Sequence, residues 1–355
     1  MTLRAGFSLY LDLLRLAAAL VVLFSHLGHG HLIGGVLWPF TRWGGEAVMA
    51  FFVLSGFVIA HVVDTRESSL AHFAAARVAR LFSVIVPAMV LTLVLDAAGR
   101  SFNPAAYASV GQWRADESAP LNYLLSFFML NQSWGLNRHF GSNGAYWSIP
   151  FEFWYYALFG AFSLMRGWTR WVTVGAAALL AGPRILALLP VWLLGVCAYR
   201  LMASGRALTL PGLGFVLTLA GLVLMLVLDL KRPEGMAAVG LQPDSWAWQC
   251  LFGLCMAAHL VFASALPPLR PPWQTWMPAA VPRVIGFAAG VSFSLYLFHL
   301  PILNFLNAFR DEFASPVLYK LALLTVPLLV AATVGHVCEK QKAPLRHWLS
   351  RLVKR

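Results

Sequence analysis

Long apolar stretches separated by short polar joints run along most of this chain. That blockwise pattern, with few charges inside each block, predicts an all-α fold: a polytopic transmembrane helix bundle of about ten helices. The expected spans are roughly 8–28, 44–63, 79–98, 146–165, 168–182, 185–203, 210–230, 247–265, 284–307 and 317–338. Most approach the ~20 residues needed to cross the hydrocarbon core. The fifth, Trp168–Gly182, is short. The longest polar joint, about 99–145, contains the half-length apolar segment Leu121–Leu130, which reads as a re-entrant or interfacial helix. No internal repeat or separate soluble domain is visible. Residues 1–340 read as one membrane domain and 341–355 as a basic cytoplasmic tail.

Composition strengthens this picture. The chain has 355 residues, of which 60% are hydrophobic and 11% charged, with a mean hydropathy of +0.72. A soluble domain of this size cannot hide so much apolar surface. The net charge of +12 is dispersed singly between apolar blocks, so it forms no contiguous basic face and argues against nucleic-acid binding. Cys197, Cys250, Cys255 and Cys338 lie in or beside apolar spans without a paired metal-site spacing, and read as small core residues. Asp12 and Arg15 interrupt the first apolar run, which is therefore expected to remain as a helix rather than serve as a cleaved leader.

The loop charges orient the bundle. Counting Arg and Lys on alternate loops puts the larger share on the N-terminal side, including Arg66, Arg77, Arg80, Arg166, Arg200, Arg270 and the tail with Lys354 and Arg355. Arg100, Arg114, Arg138, Lys231 and Arg232 fall on the other side. The positive-inside bias thus predicts both termini in the cytoplasm. Arg15 then lies near the inner end of the first span and His26 near its outer end. Glu46 starts the second span at about the depth of His26, and Ser148, Glu152, Tyr296 and His299 are expected in the outer half.

Arg15 and His26 stand eleven positions apart, almost three helical turns, and therefore share one face about 16 Å apart along the axis. Ionisable residues inside a span are costly, so two on one stripe point to function: an extended anionic ligand with its reactive end at His26. An imidazole there can take a proton from a hydroxyl and return it, or can serve as a structural histidine. His26, His29 and His31 also raise a metal site, against which stand Gly28, Gly30 and the lack of a completing cysteine or carboxylate nearby; no metal is expected.

Four further groups carry chemistry. Glu46 either orients His26 or sits in interfacial water, and Ser55-Gly56 reads as helix packing. Arg77 and Arg80, at i and i+3, share a face suited to gripping phosphate, or are ordinary cytoplasmic anchors. Ser148, Glu152 and Tyr156 recur every four residues behind Trp147, with Pro150 tolerable in the first turn. Ser292, Tyr296 and His299 fall at helical spacing, His299 reading either as a site residue or as hydrogen-bonded packing.

In this order, the motifs resemble the integral-membrane acyltransferase family 3, which includes sugar and polysaccharide O-acetyltransferases of bacterial envelopes. The resemblance rests on Leu11-Asp12 and Arg15 through His26, on Phe51-Phe52-Val-Leu-Ser55-Gly56-Phe57, and on Arg77-Val-Ala-Arg80. It continues through Trp147-Ser148 with Glu152, Ser294-Leu-Tyr296-Leu-Phe-His299, and Glu339 with Pro344. The chain departs from the family at Ala79 and Ser83, where further basic residues are common, and at Pro150. The resemblance implies transfer of an acyl group, acetyl by family habit, from cytoplasmic acyl-CoA to a hydroxyl of an envelope glycan, glycolipid or related small molecule across a bacterial inner membrane. It also implies that Arg15, Arg77 and Arg80 serve donor binding or chemistry along with His26. On this reading His26, Glu152 and Glu46 form the catalytic set, and Trp147, Ser148, Tyr156, Tyr296 and His299 contact substrate. Membrane lipid is the remaining partner. The alternative is a transporter or flippase for a lipid-linked sugar, which would use the same intramembrane charges as a binding path.

Overall fold

A computed structural model describes residues 3–67, 69–108, 118–228, 243–267, 278 and 280–353. Arg114, Lys231, Arg232, Arg270, Lys354 and Arg355, which entered the charge count, lie outside the described residues, as does part of the span expected at 210–230. Among the described residues the chain is helical, with no strand. The helices are α1 (Ala5–Leu27), α2 (Gly44–Thr65), α3 (Leu70–Phe102), α4 (Pro104–Ala108), α5 (Ala119–Phe127), α6 (Ile149–Leu164), α7 (Gly167–Ala187) and α8 (Leu189–Ala203). They continue as α9 (Pro211–Leu228), α10 (Pro243–Ala265), α11 (Ala280–Gly290), α12 (Ser292–Ala308), α13 (Pro316–Val330), α14 (His336–Lys340) and α15 (Lys342–Val353).

Among the described residues, five helices are long and apolar enough to cross a membrane, or up to seven if each of two bent pairs counts as one span. The fifth and sixth expected spans correspond to α7 and α8, which meet at a bend of 92°. Within α7, Gly182 has φ +77 and precedes Pro183, so the helix cannot run straight through. A Cβ at Gly182 would also press on Trp134, 2.7 Å from its backbone nitrogen. The ninth expected span is likewise the bent pair α11–α12, with an angle of 55°.

The bundle is organised around α2 and α3. α2 packs on α8 and α1, while α3 packs on α12, α6 and the C-terminal α15. Gly56 faces α8 so closely that a Cβ there would lie 2.0 Å from the Trp192 carbonyl oxygen. Gly195 reciprocates: its Cβ would lie 2.0 Å from the Val53 carbonyl oxygen. Small residues thus let these two backbones approach, as expected for Gly56. α3 begins at an N-cap, where Ser69 Oγ accepts from the His72 N–H, and it runs through the internal Pro87. α15 lies against α3, tied by Arg346 Nη2 donating to the buried Glu67 carboxylate at 3.3 Å.

The segment before α6 folds into the bundle rather than over it. The apolar segment Leu121–Leu130 yields only the nine-residue α5. Beyond it, Asn131, Gln132, Ser142 and Asn143 are fully buried. Asp96 of α3 accepts from the Ser142 backbone N–H at 2.7 Å and from its hydroxyl at 2.6 Å. Asn143 Nδ2 donates to the Leu297 carbonyl of α12 at 2.8 Å. These bonds satisfy irregular backbone inside a largely apolar body, the condition under which such backbone is tolerated at membrane depth. They also hold the start of α6 well inside the bundle.

Candidate functional site

Three arginines surround one cavity of about 100 Å³. Arg15 reaches it from α1, and Arg77 and Arg80 from the first part of α3. Opposite them stand Ser55 of α2, Ser148, Glu152 and Tyr156 at and in α6, and Ser292 and Tyr296 of α12. Phe51, Phe52 and Phe293 supply much of the apolar wall. Three guanidinium groups against one carboxylate give the lining an excess of positive charge. In a low-dielectric surround such an excess favours an anionic ligand.

The charges are partly engaged. Arg15 pairs with Asp12 one turn earlier, Nη1 to Oδ1 at 3.2 Å. Arg80 lies within the electrostatic reach of Tyr156, Glu152 and Glu339. The Arg77 guanidinium carbon stands 6.0 Å above the Tyr156 ring, while its buried Nε has no hydrogen-bond partner. Planar, fork-shaped donors of this kind match phosphate oxygens.

A hydrogen-bonded chain lines the other wall. Ser55 Oγ donates to Glu152 Oε1 at 2.8 Å, and the Tyr156 hydroxyl donates to the same oxygen. Trp192 Nε1 donates to Ser55 Oγ at 3.2 Å. Ser148 Oγ and the Tyr296 hydroxyl are 2.7 Å apart. The i, i+4 spacing of Glu152 and Tyr156 does place them on one face. Ser148, Glu152, Tyr156 and Tyr296 line the same cavity as the three arginines, and Tyr296 also neighbours His299.

A second cavity, about 810 Å³, adjoins the first. Leu3, Ser8, Asp12, His61, Asp64 and Arg66 are among its lining residues, and Arg15 and Val58 belong to both cavities. The start of α1 and the end of α2 thus form an open mouth leading to the three arginines.

His26 lies beyond the small cavity and, among the described residues, does not line it. Its ring centroid is 5.1 Å from that of His299, which is 6.2 Å from that of Tyr296. Phe51 packs edge-on against Tyr296 with centroids 6.0 Å apart. Phe51 and Tyr296 both line the cavity, and Tyr296 in turn neighbours His299. Arg15 and His26 both stand on α1, and of the two only Arg15 is among the residues that line the cavity.

Glu46 and Trp147 also stand apart from the cavity. Glu46 is buried and accepts from Trp248 Nε1 at 2.9 Å. Trp147 packs edge-on against Phe151. His29 and His31 stack just beyond the C-terminal end of α1 with centroids 5.9 Å apart. Partial burial and the neighbouring His29 lower the His31 imidazole below its ordinary value. Among the described residues, no group of three His, Cys, Asp or Glu is arranged to hold a metal ion.

Sequence reasoning read Ser55 as packing and did not select Phe51 or Ser292 as site residues. A signal existed in α2: Val48, Phe51, Phe52, Ser55, Val58 and Ile59 follow the helical stripe that lines the cavity. A hydroxyl on an otherwise apolar stripe marks the point where that face turns towards polar partners.

The acyltransferase 3 family model, described as an acyltransferase domain, matches residues 8–337. An O-acetyl transferase of Shigella phage Sf6 is 31% identical over 162 residues, covering 42% of this chain and 44% of that protein. The chain thus spans less than half the length of that relative. No solved structure matches the chain significantly.

Proposed function

The chain belongs to the acyltransferase 3 family, and from that premise we propose that it is an inner-membrane O-acyltransferase with both termini in the cytoplasm. It moves an acetyl group from cytoplasmic acetyl-CoA to a hydroxyl of an envelope glycan, glycolipid or related small molecule. The observation that carries this reading is the meeting of Arg15, Arg77 and Arg80 around one intramembrane cavity, beside a wider mouth. The donor's phosphates meet the arginines, and its pantetheine arm points along α1.

His26 acts as general base. It accepts the proton of the acceptor hydroxyl as the oxygen attacks the thioester carbon, and the leaving thiolate takes a proton in return. Glu152, held by Ser55 and Tyr156, balances the arginine charge and orients the polar wall. Ser148 and Tyr296 contact the reacting groups.

The test is incorporation of radiolabel from [14C]acetyl-CoA into envelope material, using membranes with and without this protein. Protein-dependent labelling is expected. Translocation of a lipid-linked sugar with no thioester consumption would instead establish the transporter reading.

A further inference from the structure

We infer that His299 is a positioning residue for His26, fixing which imidazole nitrogen of His26 is free to act as base. The inference rests on the proposed reaction and adds the residue that organises it. His299 is 1% exposed. Its Nδ1 lies 3.0 Å from the Leu295 carbonyl oxygen, one turn back on α12. A carbonyl can only accept, so Nδ1 carries the hydrogen and Nε2 of the neutral ring presents a lone pair.

That lone pair is buried with no hydrogen-bond partner. A buried acceptor left unmatched is unfavourable by about 1–3 kcal/mol. Tyr296, the aromatic residue one turn away, already has its hydroxyl engaged with Ser148 at 2.7 Å. The remaining neighbouring ring is His26, with a centroid separation of 5.1 Å and an interplanar angle of 40°. Two imidazoles joined in line by a hydrogen bond of about 2.9 Å have centroids about 5 Å apart. A modest reorientation of either ring therefore lets an N–H of His26 donate to His299 Nε2.

This bond leaves the second His26 nitrogen unprotonated. During transfer the acceptor O–H bond breaks and its proton moves to that nitrogen. The new oxygen–carbon bond forms, the carbon–sulfur bond breaks, and the departing CoA thiolate receives the proton. His299 keeps its own proton throughout and stabilises the transient His26 cation through its lone pair. The arrangement uses a neutral imidazole where an orienting carboxylate would be costly to bury.

The test combines two readings of the full-length protein in lipid nanodiscs. Histidine-selective 15N solid-state NMR, assigned by subtraction of a His26→Ala spectrum, reports the His26 tautomer directly. One tautomer is expected in the parent protein, and a mixture in His299→Phe. In steady-state assays with acetyl-CoA, His299→Phe should lower kcat by about 10- to 100-fold while the donor KM stays within twofold. His299→Gln, whose amide oxygen can accept the same bond, should recover most of that loss. An unchanged His26 tautomer in His299→Phe overturns the inference, as does an unchanged kcat or an equal loss in both variants. Failure of the parent protein to consume acetyl-CoA instead removes the acyl-transfer reading and the catalytic part of the inference with it. The tautomer spectrum then still decides whether the two rings are paired.

Discussion

Ser55 joins groups from three helices: it donates to Glu152, accepts from Trp192 and lies 3.2 Å from the Tyr156 hydroxyl. Replacing it with alanine leaves the fully buried Trp192 indole N–H without this acceptor. Ser55→Ala should therefore destabilise the protein by about 1–3 kcal/mol, read as a lower Tm in detergent. At Arg77 the expected effect is on donor binding. A charge-assisted hydrogen bond contributes about 1.5–3 kcal/mol, so Arg77→Gln should raise the KM for acetyl-CoA about tenfold or more with a smaller change in kcat. An unchanged KM would remove Arg77 from the donor site. The grouping of Arg15 with Arg77 and Arg80 was legible in the sequence because the loop charges put all three on one side of the membrane and the family resemblance joins them; the i, i+3 spacing alone fits ordinary anchors equally. The burial of Glu46 against Trp248 was not, because its partner lies 202 positions away.

Two glycines govern how α2 meets α8. Gly56 and Gly195 each face the other helix's backbone at a separation that leaves no room for a Cβ. Gly195→Val should force the helices apart, at about 1–3 kcal/mol for overpacking, and should disturb the Trp192–Ser55 bond beside the cavity. Lower Tm together with lower turnover is expected; a native Tm would show that the crossing tolerates bulk. At this scale apolar length found the helices but not the bends between them. The pair Gly182-Pro183 was a readable break, yet hydropathy alone assigned separate spans to its two sides. The buried segment 129–148 escaped hydropathy for a different reason. Part of its polarity is met inside the bundle, by Asp96 and the Leu297 carbonyl, so polarity there does not signal a surface loop. That segment leads into α6, whose Glu152 lines the cavity with the arginines.

Across the whole molecule the two ends of the site differ: charged residues line a wide cavity at the start of α1, and imidazole and aromatic rings gather about His26. The proposed topology puts the wide cavity on the cytoplasmic side, the side of the proposed donor. A C-terminal green fluorescent protein fusion should fluoresce and an alkaline phosphatase fusion at the same place should be inactive; the reverse would turn the mouth away from the donor. The all-helical, membrane-type class was legible from composition and block pattern, since burying so many apolar residues leaves few alternatives. The contact of His26 with His299 was not, because helical spacing fixes a shared face but says nothing of the rings that neighbouring helices insert. The central claim is that acyl transfer takes place at the His26 imidazole. Its most direct measurement is acetyl-CoA-dependent product formation by purified, folded His26→Ala protein in nanodiscs. A fall of about 100-fold or more with donor binding retained is the predicted result, and near-parent turnover would contradict the account.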